Sequence, residues 1–178
     1  MTQPTTPDEL EMLKRHIRDV PDFPQPGVLF RDITPMLADP ESFALAVEAL
    51  ARPYSGIDKV VAIESRGFIL GAPVALALHA GLVPVRKVGR LPADTLREDY
   101  SLEYGVNVVE IHRDAITPDE RVLIVDDVLA TGGTVRAAAN LVQRLGGTVV
   151  GVSLLVELSF LGGRTRLQDL DVYTVLVY

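Results

Sequence analysis

Short runs of β-branched and other apolar residues alternate along this chain with stretches of helical periodicity. The runs at residues 60–63 and 122–125 have the length and composition of buried strands, and residues 108–112 alternate between apolar and polar. Strands are predicted at residues 60–63, 83–86, 108–112, 122–125, 149–156 and 172–177. Since helical segments separate most of these runs, the sequence predicts an α/β fold, with a mostly parallel central sheet flanked by helices on both faces.

The predicted helices begin at recognisable signals. Thr6 and Glu9 form a capping box, with proline at the first helical position. Further helices are expected after Asp39, from residue 67 to about residue 80, and from Thr134 onward. Three prolines between residues 20 and 27 exclude a helix there. Ligands in such sheets bind beyond the carboxyl ends of the strands, so Glu64, Lys87 and Asp126 should meet.

Two adjacent carboxylates, Asp126 and Asp127, follow one predicted strand and precede a glycine turn that opens a helix. The turn consists of Ala130, Thr131, Gly132, Gly133 and Thr134. Its glycines let backbone N–H groups converge on one anion, most often phosphate. Carboxylates accept hydrogen bonds from hydroxyls and hold magnesium through water. A ligand with a phosphate at one end and a diol beyond it, such as a ribose 5-phosphate group, satisfies both halves.

Each half of this motif also has an ordinary structural explanation. An acidic pair at a strand end is usually only solvated, and a Gly-Gly turn is often only a turn. Joined in one strand–acid pair–turn–helix unit, they favour a ligand site. A Walker A loop would need a lysine after the glycines, and a dinucleotide fingerprint would need Gly-x-Gly-x-x-Gly; this turn has neither.

Composition narrows the range of partners. The chain has 178 residues, enough for one domain with a sizeable core, and a formal net charge of −7 with a pI near 4.9. This charge argues against nucleic acid or an anionic membrane as a partner. There is no cysteine, and the three histidines lack metal-ligand spacing. No signal peptide or bilayer-spanning stretch is visible, so a cytoplasmic location is expected.

Basic residues follow two of the predicted strands. Arg66 lies just beyond the first of these strands, while Arg86, Lys87 and Arg90 lie at the end of the next. In an acidic protein, basic side chains directed at one crevice suggest a second anion site, because arginine binds phosphate oxygens in pairs and lysine adds a point charge. For any one of these residues a surface ion pair is about equally plausible, but a ligand role is favoured for Arg66, which lies between a buried strand and Gly67, where the backbone turns sharply.

Residues 87–107 show no convincing regular element. The segment is rich in glycine, proline and charged residues, with two tyrosines among them. A loop of this length inside a small domain is often an active-site lid. It includes Glu103, which would return a carboxylate toward the site.

With these motifs the chain resembles the type I phosphoribosyltransferases, and most closely those that use adenine. The resemblance covers nearly the whole chain beyond the first twenty residues and is carried by residues 22–35, 64–68, 86–92, 102–105 and 125–134. It implies the fold of that family over residues 1–178 as one domain, with an N-terminal helix and base-binding hood at 1–35 and a flexible lid loop at 87–107.

The resemblance also implies a reaction: adenine and 5-phosphoribosyl 1-pyrophosphate give AMP and pyrophosphate, with Mg²⁺ carried by substrate and water. Residues 130–134 would hold the 5-phosphate, and Asp126 and Asp127 the ribose hydroxyls. Glu103 would handle the proton at purine N7. Arg66 and Lys87, with Arg86 and Arg90, would bind pyrophosphate, and Leu29 and Arg31 would frame the purine. A cytoplasmic homodimer is implied.

Two alternatives remain open from the sequence. The same fold could act on another base, such as xanthine or orotate. It could also be a non-catalytic binding module that keeps a phosphoribosyl site, although the first twenty residues are too short and too mixed in charge for a DNA-binding segment.

Overall fold

The computed structural model describes residues 5–101 and 106–178. Helices and strands alternate over residues 40–87 and 121–157, as the sequence predicts. The helices are α1 (Pro7–Arg15), α2 (Thr34–Ala38), α3 (Pro40–Ala51), α4 (Arg66–Ala77) and α5 (Gly133–Arg144). The strands are β1 (Arg18–Pro21), β2 (Leu29–Asp32), β3 (Lys59–Ile63), β4 (Gly81–Lys87), β5 (Thr95–Ser101), β6 (Val106–His112), β7 (Arg121–Leu129), β8 (Thr148–Glu157) and β9 (Val172–Val177). Two short 3₁₀ turns, Ser159–Leu161 and Gly163–Arg166, link β8 to β9.

Seven strands form the central sheet in the order β5-β6-β4-β3-β7-β8-β9. The five strands from β4 to β9 in this order pair in parallel, whereas β6 is antiparallel to both β4 and β5. The predicted mostly parallel sheet is therefore confirmed. Outside it, β1 and β2 form a separate two-stranded antiparallel hairpin near the N-terminus.

Alternate residues of the middle strands face the two sides of the sheet. In β7, Leu123 and Val125 pack with residues of α1, α3 and α4, while Val122 and Ile124 pack with residues of α5. All four are fully buried, as a strand with helices on both faces requires. The sheet thus has one core on each face, and its strand ends remain free to form a site.

The capping box at the start of α1 is confirmed. The Thr6 N–H donates to Glu9 Oε2 at 2.6 Å, and the Glu9 N–H donates to Thr6 Oγ1 at 3.3 Å. Arg52, which follows α3, donates twice to the same Glu9 carboxylate and so ties α1 to the body of the fold.

The prediction of a segment without regular structure at residues 87–107 is wrong for residues 95–101 and 106–107, which lie in two strands. Residues Thr95–Ser101 form β5, whose pairing with β6 supplies the partners that local sequence could not reveal. A carboxylate also stabilises this pairing, because Glu110 of β6 lies opposite Arg97 of β5 and accepts from its Nε at 3.2 Å. Charged strands of this kind lack an apolar signal, since their stability comes from the neighbouring strand.

A further difference from the prediction concerns the acid pair, which lies within β7 rather than after it.

The described ranges contain no helix that is both long and apolar enough to cross a membrane.

Candidate active site

The carboxyl ends of β3, β4 and β7 meet at one edge of the sheet, as predicted. Glu64, just after β3, accepts a hydrogen bond from the Lys87 N–H at 3.0 Å and lies 3.3 Å from Arg86 Nε. Glu64 and Asp126 in turn line one pocket of about 290 Å³. Glu64, Lys87 and Asp126 therefore lie close together as expected, with Glu64 between the other two.

This first pocket contains the acid pair, the glycine turn and the β3–α4 turn. Its lining residues are Glu64, Ser65, Arg66, Tyr100 and the continuous run from Asp126 to Val135. All five predicted 5-phosphate residues, Ala130, Thr131, Gly132, Gly133 and Thr134, are among them. Both predicted carboxylates are there as well.

The glycine turn leaves the first backbone N–H groups of α5 exposed to the pocket. Gly132 has the left-handed φ of 78°, and the N–H of Arg136 donates to its carbonyl at 3.0 Å. The N–H groups before Arg136 have no partner inside the helix, so they and the helix dipole favour an anion. A side chain at position 132 would place its Cβ 2.5 Å from the carbonyl oxygen of Gly163. The turn is therefore packed tightly against the β8–β9 connection.

The acid pair is buried, with Asp126 9% and Asp127 5% exposed. Burial raises the pKa of both carboxyl groups, and for Asp126 the neighbouring Asp127 charge raises the pKa further. Arg66 acts in the opposite direction: its Nε lies 2.9 Å from Asp127 Oδ2 and lowers the pKa of that group. Two carboxylates in this position repel anions but suit hydroxyl donors or a cation.

Gly67 explains how β7 and α4 approach so closely at this point. A Cβ on Gly67 would lie 2.6 Å from Asp126 Oδ1 and 3.2 Å from the Val125 carbonyl oxygen. The N-terminal turn of α4 can therefore cover the acid pair only when residue 67 has no side chain. The Glu64–Ser65 peptide bond before it is cis.

Of the four predicted pyrophosphate residues, Arg66 lines the pocket and the other three cluster beside it. Arg86 and Arg90 lie around Glu64, with Arg90 Nη1 3.8 Å from Glu64 Oε1. Burial alone would raise the pKa of Glu64, but the Lys87 N–H and Arg86 together lower it. Within the described part of the chain, the side chains of Arg86, Lys87 and Arg90 do not line this first pocket. They form a basic rim next to it.

A second pocket, of about 240 Å³, opens on the other side of Asp127 and is largely apolar. Leu29 and Arg31, the two residues predicted to frame the base, both line it. It shares Arg66, Asp127, Val128 and Ala130 with the first pocket. Its other walls, which the sequence interpretation missed, are Val28, Phe30, Ile33, Val156, Leu158 and Leu161.

Arg31 is held by neighbours rather than free. It forms an ion pair with Asp19, and its guanidinium carbon lies 4.0 Å from the centre of the Tyr178 ring. Phe30 is likewise covered, since the Arg66 guanidinium carbon lies 4.9 Å from its ring centre. Arg66 therefore contacts the acid pair and the hairpin of the second pocket at once.

Glu110 is a further residue that the sequence interpretation missed. It is 1% exposed, and its Oε1 accepts from three successive N–H groups, those of Gly89, Arg90 and Leu91, at 2.8–3.2 Å. Its Oε2 accepts from Thr95 and Arg97. The hydrogen bonds outweigh the burial, so the pKa of Glu110 is lowered. One signal was present in the sequence: a single acid within the apolar, alternating run of β6.

Glu103, the predicted proton-handling residue, lies outside the described residues. The part of the chain that is described also contains no cluster of three or more histidine or acidic side chains suited to a metal. A metal at this site would need ligands from substrate or water in addition to the acid pair.

The fold and the two joined pockets define a phosphoribosyltransferase. Residues 36–176 match the phosphoribosyl transferase domain family, to which the chain belongs. It is 58% identical to the adenine phosphoribosyltransferase of Thermobifida fusca over 92% of this chain and 94% of that protein. Within the family, the chain is a member of the adenine phosphoribosyltransferases.

Solved structures agree with this assignment. The adenine phosphoribosyltransferase of Rhodothermus marinus is 56% identical, with a TM-score of 0.93 over 97% of this chain and 100% of that one. That of Saccharomyces cerevisiae, complexed with an imino-altritol bisphosphate and adenine, is 39% identical, with a TM-score of 0.91 over 96% of this chain and 100% of that one.

Proposed function

We propose that the two joined pockets hold the two substrates of adenine phosphoribosyl transfer, with their reacting atoms meeting at Asp127. In this reaction adenine N9 forms a bond to C1 of the ribose of 5-phosphoribosyl 1-pyrophosphate. The C1–oxygen bond breaks, its electron pair leaves with pyrophosphate, and the purine loses a proton. The observation that carries the proposal is the shared wall: Arg66, Asp127, Val128 and Ala130 border both pockets.

The first pocket suits the sugar phosphate. Residues 130–134 offer backbone N–H groups at the start of α5 for the 5-phosphate, and a phosphate there gains from the helix dipole. The hydroxyls of the ribose would donate to Asp126 and Asp127, whose oxygens accept hydrogen bonds without supplying a competing donor when ionised.

The second pocket suits a purine. Its volume of about 240 Å³ and its apolar lining match a flat heteroaromatic ring. Leu29 offers an exposed apolar side chain there, and backbone groups of the β2 hairpin, including those of Arg31, are available to hydrogen-bond the ring edge. The guanidinium of Arg31, which contacts Asp19 and the Tyr178 ring, holds this hairpin in place.

The basic rim suits pyrophosphate. Arg66 is part of the shared wall, Arg86 and Arg90 pair with the neighbouring Glu64, and Lys87 contacts Glu64 through its backbone N–H. Since Glu64 already neutralises part of this charge, the rim presents a moderate positive field to the leaving group.

Charge separation is the part of the reaction that the site is built to stabilise. The ribose becomes cationic in a loose, oxocarbenium-like transition state while negative charge collects on pyrophosphate. Carboxylates near the ribose and arginine near the leaving group stabilise these opposite charges. Glu103 remains the predicted proton-handling residue at purine N7, a role that contributes about 10²–10⁴-fold.

Magnesium fits the donor set of the first pocket, because two buried carboxylates suit a hard cation that keeps several waters and binds substrate oxygens. Asp126 and Asp127 would hold it through water. Bound there, Mg²⁺ would neutralise the pyrophosphate charge as it develops.

A homodimer and a cytoplasmic location remain predictions. The dimer is supported by apolar side chains on the outside of α4, where Ile69 is 45% and Leu76 78% exposed. Light scattering of the purified protein measures its mass directly, and cell fractionation measures its location.

Adenine-dependent release of pyrophosphate from 5-phosphoribosyl 1-pyrophosphate, with Mg²⁺ present, tests the proposed function. AMP should form in equal amount. Hypoxanthine, xanthine and orotate at the same enzyme concentration form the comparison panel. Faster turnover of another base would overturn the adenine assignment, and substrate binding without turnover of any base would point to a binding module.

A further inference from the structure

We propose that Tyr100 binds the phosphoribosyl group of the substrate and that Glu98 holds Tyr100 in position through α5. The proposal rests on the proposed function, because it adds a residue to the same ribose 5-phosphate pocket. Neither residue belongs to the glycine turn, the acid pair or the basic rim.

The alternation of β5 directs Tyr100 toward α5. Leu96, Glu98 and Tyr100 are half-buried, whereas Arg97 and Asp99 are exposed. Residues two apart on a strand share a face, so the first three side chains lie on the same side. Leu96 and Tyr100 pack against the core on the α5 face of the sheet. This face of β5 therefore lies against α5.

Glu98 attaches this face to α5. Its Oε1 accepts from Asn140 Nδ2 at 2.8 Å, and its Oε2 accepts from Arg144 at 2.6 Å. Arg144 also donates to the Arg97 carbonyl at 2.7 Å. Both α5 residues lie in the second half of the helix, so β5 is bonded to the end of α5 that is far from the glycine turn.

From that attachment the strand runs toward the start of α5. Tyr100 lies roughly 7 Å further along β5 than Glu98, given a rise of about 3.3 Å per residue. Asn140 lies roughly 10 Å along the helix from Gly133, given a rise of about 1.5 Å per residue. The tyrosine side chain is long enough to span the few ångströms between these two lengths. Tyr100 accordingly lines the pocket together with Thr131–Val135.

The chemistry of Tyr100 suits a sugar phosphate. Among the described residues that line the first pocket, it is the one aromatic side chain. Its phenol can donate a hydrogen bond to a phosphate or ribose oxygen, and its ring can exclude water from one side of the sugar. The carboxylates of the same pocket cannot donate to a phosphate when ionised, so a neutral hydroxyl adds a donor that they do not supply.

Tyr100→Phe tests the first half of the proposal, since it removes one oxygen and keeps the ring. Ribose 5-phosphate and pyrophosphate serve as separate calorimetric probes, and initial rates are measured with each substrate varied in turn. We expect roughly 10-fold weaker binding of ribose 5-phosphate and a matching rise in KM for 5-phosphoribosyl 1-pyrophosphate. The KM for adenine and the affinity for pyrophosphate should change less than about 2-fold.

Tyr173→Phe is the matched control, because the Tyr173 hydroxyl bonds Thr5 at 3.0 Å, away from the pocket. Unchanged ribose 5-phosphate binding in an active Tyr100→Phe enzyme would overturn the proposal while leaving the proposed function intact. A loss confined to pyrophosphate binding would overturn it too. A wild-type protein without activity on adenine would instead contradict the proposed function.

The role of Glu98 is tested by a double-mutant cycle. Glu98→Ala should weaken ribose 5-phosphate binding about 3-fold or more when Tyr100 is present, and have little further effect in the Tyr100→Phe background. Asp99→Ala, on the exposed face of the same strand, is the control. Effects of Glu98→Ala and Tyr100→Phe that simply add would show that Glu98 does not position Tyr100.

Discussion

Arg66 and Asp127 form a 2.9 Å ion pair between Nε and Oδ2 in the wall between the two pockets. Arg66 follows β3 and Asp127 lies in β7, strands that are parallel neighbours in the sheet. The same guanidinium covers Phe30 of the N-terminal hairpin. The Arg66 side chain therefore connects the acid pair, the base pocket and the proposed pyrophosphate site. These three parts of the site depend on the position of this one residue.

Asp126→Asn should abolish most activity and stabilise the fold at neutral and higher pH. Burial raises the pKa of Asp126 in the folded state, so the wild type loses stability as pH rises from the ordinary aspartate pKa of about 4 through the folded pKa. Asparagine stays neutral and avoids that loss. We expect at least ~100-fold lower kcat and a Tm about 2–4 °C above wild type at pH 8.

The Tm difference should shrink toward pH 4, and differential scanning calorimetry at both pH values measures it. The control is Asp114→Asn, at an exposed aspartate. A variant that is less stable than wild type at pH 8 would contradict the argument from burial.

Gly67→Ala should damage both stability and activity. The new Cβ would lie 2.6 Å from Asp126 Oδ1, so α4 or the acid pair has to move. Overpacking of this kind costs about 1–3 kcal/mol of unfolding free energy, and displaced carboxylates should lower kcat/KM by roughly 10-fold or more. Urea titration and initial rates are the measurements.

Gly81→Ala serves as the comparison, since the atoms nearest its Cβ would be those of the flexible Lys59 side chain at 3.1 Å, with the Asp58 carbonyl oxygen at 3.7 Å. Equal losses in the two variants would mean that the contact between Gly67 and Asp126 is not what constrains residue 67.

Glu110→Gln should destabilise the turn at residues 89–91. Three backbone N–H groups converge on one Glu110 oxygen, and Thr95 and Arg97 donate to the other, so the NH₂ group of a glutamine would face one of these two sets of donors. We expect a loss of about 1–3 kcal/mol in unfolding free energy and a higher KM for pyrophosphate in the reverse reaction. The adenine KM should stay within about 2-fold.

The pKa of Glu110 is lowered, so its stabilising contribution is present above the ordinary glutamate pKa and is lost as pH falls through the folded value. The difference between wild type and Glu110→Gln should therefore narrow below about pH 4. Glu41→Gln, at an exposed position in α3, is the control. An unchanged KM for pyrophosphate would show that Glu110 does not support the basic rim.

Leu29→Ala should weaken adenine binding selectively. Leu29 is 43% exposed and lines the second pocket, so a bound base would cover an apolar side chain. Partial burial of a leucine contributes about 1 kcal/mol, which predicts an adenine KM about 5-fold higher. The KM for 5-phosphoribosyl 1-pyrophosphate should not change. Leu82→Ala, an exposed leucine of β4, is the matched control; a rise in both KM values for Leu29→Ala would argue against a base pocket.

Much of the fold could be predicted because its signals are local. The apolar runs of β3, β7, β8 and β9 have to be buried, and the capping box and the glycine turn mark helix starts within a few residues. β5 could not be predicted in this way. Three of its seven residues are charged, and its stability comes from pairing with β6 and from Glu98 and Arg97, whose side chains bond residues 13 to 46 positions away along the chain.

The sequence by itself determined the class of site: a strand, two acids and a glycine turn at a helix start, whose chemistry follows from residue type and spacing. Only the tertiary structure decided which distant residues complete it. Parallel pairing of β3 with β7 brings Arg66 to Asp127, β6 places Glu110 under residues 89–91, and β5 carries Tyr100 to the first pocket. These contacts depend on strand order and register, which no local pattern encodes.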